Sequence, residues 1–124
     1  MGPARVTFRV LSYLFLIAVA IQFFLAGLSV LGGESIEAHR QWGFIVMHLI
    51  PIAMFLVAIL GKMGRVTIAM VVVLFVLIFL QPLFADESLD PQWLRSFHVF
   101  DALLIAFLGY HISERASGRI QVRS

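Results

Sequence analysis

Residues 66–85 read VTIAMVVVLFVLIFLQPLFA, twenty positions without a charged side chain. A helix rising 1.5 Å per residue needs about 20 such residues to cross about 30 Å of hydrocarbon. The stretch therefore predicts a transmembrane helix, and its flanks frame it. Before it stands a tight basic turn, Gly61-Lys62-Met63-Gly64-Arg65, and after it an acidic loop, Asp86-Glu87-Ser88-Leu89-Asp90-Pro91. Three further stretches qualify, at about 8–31, 39–61 and 93–113. Gly32-Gly33 closes the first, and Asp90 is expected to cap the fourth helix with Pro91 in its first turn. The first apolar run is longer than the 7–15 residues of a signal-peptide core, so it is expected to be a retained span.

Composition agrees with a lipid solvent. Of the 124 residues 61% are hydrophobic and 13% charged, against about 25% charged in soluble domains. There is no cysteine, which excludes disulfides, thiolate metal sites and cysteine nucleophiles. The net charge of +2 does not point to nucleic acid, because the basic residues sit in turns and tails beside the spans. Arg5, Arg9, Lys62, Arg65, Arg115, Arg119 and Arg123 fall on one side. Glu34, Glu37, Asp86, Glu87 and Asp90 fall on the other, with Arg40 and Arg95 the basic residues there. The positive-inside rule then places both termini in the cytoplasm. The expected fold is a single all-α membrane domain over 1–124, an up-down-up-down four-helix bundle in the inner (plasma) membrane, with 114–124 as a cytoplasmic tail. Helices two and four run parallel in it and lie diagonally across the bundle. The two hairpins run the same way, each with an acidic outer loop entering a His-bearing helix.

Candidate functional residues follow from the polar groups. All four histidines fall on the second and fourth spans: His39 and His48 on one, His98 and His111 on the other. An imidazole in hydrocarbon needs a hydrogen-bond partner or a metal. Counted from the outer end of each span, Gln22, His48, His98 and Asp101 lie within about 8 Å of one another in depth. His98 shares a helical face with Leu94, Asp101, Ala102, Ile105 and Gly109, whose small members leave room for a flat macrocycle or a neighbouring helix. His48 shares a face with Gln41, Phe44, Ile45, Ile52 and Phe55, and Pro51 is expected to loosen the helix beside it. His39 lies on the opposite side of its helix, with Gly43, Ala53 and Gly61 as a packing seam. Asp101 is the most expensive residue to insert. It hydrogen-bonds a ring nitrogen of His98, pairs with Arg40 or Arg95, or remains uncharged.

Two readings of the histidines stand. In one they are structural: His39 and His111 are interfacial, and His48 and His98 bond Gln22, Asp101 or a carbonyl. In the other they bind haem b, with His48 and His98 as axial ligands to the iron and His39 with His98 as the alternative pair. His111 is the remaining cofactor-binding candidate. Four spans, histidines confined to two parallel helices and the His98-x12-His111 spacing resemble small four-helix b-type cytochromes. The stretch from Gly32-Gly33-Glu34 through His39-Arg40, Gly43 and His48, with His98-x-x-Asp101 later, is similar to a family of small bacterial four-helix membrane proteins of unknown function. The cytochrome resemblance implies electron transfer, with quinone or a larger membrane complex as partner. The alternatives are a non-redox accessory subunit without cofactor, a subunit binding a chlorophyll-type pigment, and a small transporter or proton path using Asp101 and His98. Hydrolytic chemistry is not expected, because there is no nucleophile elbow, His-Glu-x-x-His helix or phosphate loop.

Overall fold

The computed structural model describes residues 2–119. It is a four-helix bundle with no strand among those residues: α1 (Pro3–Val30), α2 (Glu37–Leu60), α3 (Arg65–Ala85) and α4 (Ser96–Ala116). All four are long and apolar enough to cross a membrane, as their composition requires. Each helix packs on two others, α1 on α2 and α4, α3 on α4 and α2, so that α2 and α4 lie diagonally opposed. The core is a column of side chains from every helix, with Phe15, Met54, Leu74 and Ile112 fully buried. Large apolar residues such as Phe24, Phe44, Phe79 and Phe107 point outward. That arrangement suits a lipid solvent, in which helices satisfy their own backbone and expose apolar side chains.

Local chemistry sets the helix ends. Pro3 opens α1, where its missing N–H is no loss. Gly64, at φ 85°, turns the chain out of the basic loop and into α3. α2 runs unbroken through Pro51, which is buried among its neighbours. Glycines set the α1–α2 distance. A Cβ on Gly43 would lie 2.7 Å from Gln22 Nε2, and one on Gly61 would lie 2.8 Å from the Ala4 Cβ. At Gly109 of α4 the space is filled by Phe15 of α1, whose ring would meet a Cβ at 2.8 Å. The room beside His98's face is therefore taken there by a neighbouring helix.

One expectation is corrected. Asp90 caps nothing: the chain enters α4 through a 3-10 turn, Gln92–Arg95, and neither that turn nor α4 has a side-chain cap. At the C-terminal tail α4 continues to Ala116, tied to α3 by Arg115 Nε donating to Thr67 Oγ1 at 3.2 Å. Residues 120–124 of that tail lie outside the described residues.

Candidate functional site

One end of the bundle carries a polar layer drawn from all four helices. His39, near the start of α2, places Nδ1 3.2 Å from the carbonyl oxygen of Gln22 on α1. His98, near the start of α4, places Nδ1 3.0 Å from the carbonyl oxygen of Gln81 on α3. A carbonyl only accepts, so both Nδ1 atoms carry the proton, and in the neutral ring Nε2 keeps the lone pair. This is the tautomer that leaves Nε2 available to a metal or a donor. The two rings face each other across the bundle diagonal, with centres 6.2 Å apart and planes inclined at 71°.

The glutamines hold the layer. The Gln81 amide nitrogen donates to the His98 carbonyl at 3.0 Å and to Asp101 Oδ2 at 2.7 Å. Both partners are acceptors, which fixes the orientation of the amide. Asp101, only 4% exposed, is thereby satisfied by α3 rather than by a ring nitrogen of His98. On the other hairpin the Gln22 amide nitrogen approaches His39 Nε2 at 3.4 Å, a long contact. Its Oε1 is buried with no partner among the described residues. One turn below, the Trp42 indole N–H donates to the Ala18 carbonyl at 3.0 Å. Trp42 is therefore turned into the α1–α2 seam instead of anchoring at the interface.

The structure thus brings His39, His98, Gln22 and Asp101 into one layer, together with Gln81. It does not bring His48 or His111 there. His48 lies nine residues further along α2, where its Nδ1 donates to the carbonyl of Gly43 on its own helix at 3.0 Å and its ring sits beside Phe44 and Phe75. His111 stacks edge-on against Phe107, with centres 4.5 Å apart. Depth counting groups Gln22 with His48 because it assumes that α1 and α2 end level. In fact Gln22 sits eight residues before the end of α1, so α1 rises about 12 Å past the layer. The connection at 31–36 folds back down to α2. Gln81 is the residue that counting polar groups singly misses. Its signal is spacing: Gln22 to His39 and Gln81 to His98 are both 17 residues, with the same Nδ1-to-carbonyl bond.

The rim above this layer is acidic apart from Arg40 and Arg95. Arg40 reaches Glu87 at 3.8 Å, an exposed and weak pair. Asp86 of the same loop is held below the ordinary carboxylate range, first by the Ser88 hydroxyl and then by the Ser88 backbone N–H.

These features define a four-helix membrane bundle with a histidine-glutamine layer at one end. The chain belongs to a family of unknown function, DUF6220, whose pattern matches residues 22–88, running from the first glutamine of the layer through α2 and α3. No curated protein matches the chain, and no solved structure does.

Proposed function

We propose that the bundle holds a b-type haem between α2 and α4 and passes electrons within the membrane. The observation that carries this reading is the His39–His98 pair. Two rings from diagonally opposed helices have centres 6.2 Å apart, and each turns its protonated nitrogen away to a carbonyl. With both Nδ1 protons given to carbonyls, the two Nε2 lone pairs are left for a group held between α2 and α4, and His39 and His98 would hold it. His39 and His98 are thus favoured as the ligand pair over His48 and His98. His111 takes no part.

The remaining residues fit the same group. Haem b carries two carboxylate arms, and the cations of the rim stand beside the proposed ligands. Arg40 follows His39, and Arg95 precedes His98 by three residues. Freeing Arg40 from Glu87 costs little, since both side chains are largely exposed. Gln81 and Asp101 hold the α4 ligand against α3, and the Gln22 backbone carbonyl holds Nδ1 of His39. Haem in this place supplies one-electron redox chemistry. In this reading the chain crosses the inner (plasma) membrane up-down-up-down, with both termini cytoplasmic and the layer in the outer half.

A second reading is an accessory subunit of a larger membrane complex, without redox chemistry or with a chlorophyll-type pigment. It is favoured by the Gln81 arrangement, in which every interaction also ties α3 to α4. The reduced-minus-oxidised visible spectrum of the protein in mild detergent tests both. Soret and α bands are expected, lost in His39→Ala and in His98→Ala but kept in His48→Ala. A colourless protein, or bands that survive His39→Ala, would end the haem reading, and stoichiometric co-purifying subunits would favour the second.

A further inference from the structure

His48 is not used by the layer, yet its geometry is that of an acceptor awaiting a donor. Its Nδ1 is committed to the Gly43 carbonyl at 3.0 Å, so the neutral ring keeps its lone pair on Nε2. Among the described residues Nε2 has no partner. The one buried side-chain atom left unpartnered there is Gln22 Oε1, so Nε2 of His48 is not sealed in the core. It opens onto the bundle surface beside the outward-facing Phe44, Ile45 and Leu49. Two aromatic rings flank it, Phe44 with centres 5.7 Å away on the same helix and Phe75 6.4 Å away on α3, perpendicular to it.

Depth restricts what can supply the donor. His48 stands eleven residues into α2, about 16 Å from the helix start and near the middle of a hydrocarbon layer about 30 Å thick. Water is scarce there, and a charged phospholipid head group would pay heavily to descend. Among membrane lipids, that leaves one whose head is neutral and carries a hydroxyl. Walls made of Phe44 and Phe75 favour a flat aromatic ring over a bulky aliphatic one.

We propose that the α2–α3 face at His48 binds the head group of a membrane hydroquinone, with a phenolic hydroxyl donating to His48 Nε2 between Phe44 and Phe75. The site stands independently of haem at the histidine layer. Binding is therefore measured on the His98→Ala variant as well as on the unaltered protein, so that loss of a cofactor cannot be confused with loss of this site.

The test uses the full chain in lipid nanodiscs and equilibrium binding of a radiolabelled short-chain alkyl hydroquinone. Its dimethyl ether, which has the ring but no donor, is the comparison. The hydroquinone is expected to bind about tenfold more tightly than the ether, the scale of one hydrogen bond in a dry site. His48→Leu should abolish that difference. His48→Gln, which keeps an acceptor, should retain part of it, and circular dichroism of both variants reports whether the bundle is intact. Equal binding of hydroquinone and ether overturns the proposal. So does undiminished preference in His48→Leu, or an equally strong His48-dependent preference for an aliphatic hydroxylated lipid.

Discussion

The two hairpins carry the same device and finish it differently. In each, a glutamine late in the first helix offers its backbone carbonyl to a histidine early in the second, 17 residues on. In α3–α4 the glutamine amide nitrogen is engaged twice, donating to the His98 carbonyl and to the Asp101 carboxylate. In α1–α2 the corresponding amide makes one long contact to His39 and leaves its oxygen buried without a partner. A buried polar group left unmade is costly, and proteins keep few of them. The α3–α4 half is therefore a closed clamp. The α1–α2 half keeps an open valence in the layer, which is where a ligand or a water would be held.

The comparison breaks most visibly at the glutamines. Gln81→Leu strips Asp101 of its donor while the carboxylate stays buried. Unfolding stability in detergent is expected to fall by about 2–4 kcal/mol. Gln22→Leu loses only a 3.4 Å contact and removes the orphaned oxygen, so its effect should stay within about 1 kcal/mol in either direction. Denaturant or thermal titration of the two variants side by side decides the matter. Equal losses would mean that the hairpins are equivalent and that the open valence is of no consequence.

Glycine substitutions sharpen the contrast at a smaller scale. Gly109→Ala drives a methyl toward the Phe15 ring at 2.8 Å, and Phe15 is fully buried. A rigid ring in a packed core has nowhere to go, and a loss of about 1–3 kcal/mol is expected. Gly43→Ala meets the tip of the Gln22 side chain at 2.7 Å, which can swing aside. Its cost should be below that of Gly109→Ala, and its effect local, displacing Gln22 from His39. A proton NMR spectrum of the imidazoles should report that displacement, with His39 altered and His98 unchanged.

Much of this is legible in the sequence. Four apolar runs bounded by charged turns leave little choice but four membrane helices, and confinement of the histidines to α2 and α4 already points to one diagonal of the bundle. The seam at Gly43 and Gly61 follows from helical angle alone. What hydropathy could not reveal is relative height. Residues 23–30 of α1 are as apolar as the rest, so nothing marks them as rising above the start of α2, and Gln22 is matched with His48 instead of His39. Gln81 is hidden for another reason. It stands nearly alone as a polar residue near the outer end of its span, and only the repeated 17-residue interval shows that it does for His98 what Gln22 does for His39. An indole near a span end serves as an interfacial anchor or as a seam residue, and for Trp42 only the position of the Ala18 carbonyl chooses.

The smallest effect lies in the loop that joins the second pair of helices. Asp86 accepts from the Ser88 hydroxyl at 2.7 Å and from its backbone N–H at 2.8 Å, and this holds its carboxyl below the usual range. A carboxyl with a depressed folded value stabilises the folded loop at pH above its unfolded value. That contribution is lost as pH falls through the depressed folded one. Ser88→Ala removes the larger of the two causes and leaves the backbone bond. The midpoint of Asp86, followed by carboxyl NMR, should therefore move up toward an ordinary aspartate while staying below it. Because Asp86 is fully exposed, global stability should not change measurably, and the Gln81 clamp below it should be untouched. If Ser88→Ala weakened the bundle as Gln81→Leu does, the loop and the layer would be one cooperative unit, and the contrast between the hairpins would have to be drawn at the loop instead of at the glutamines.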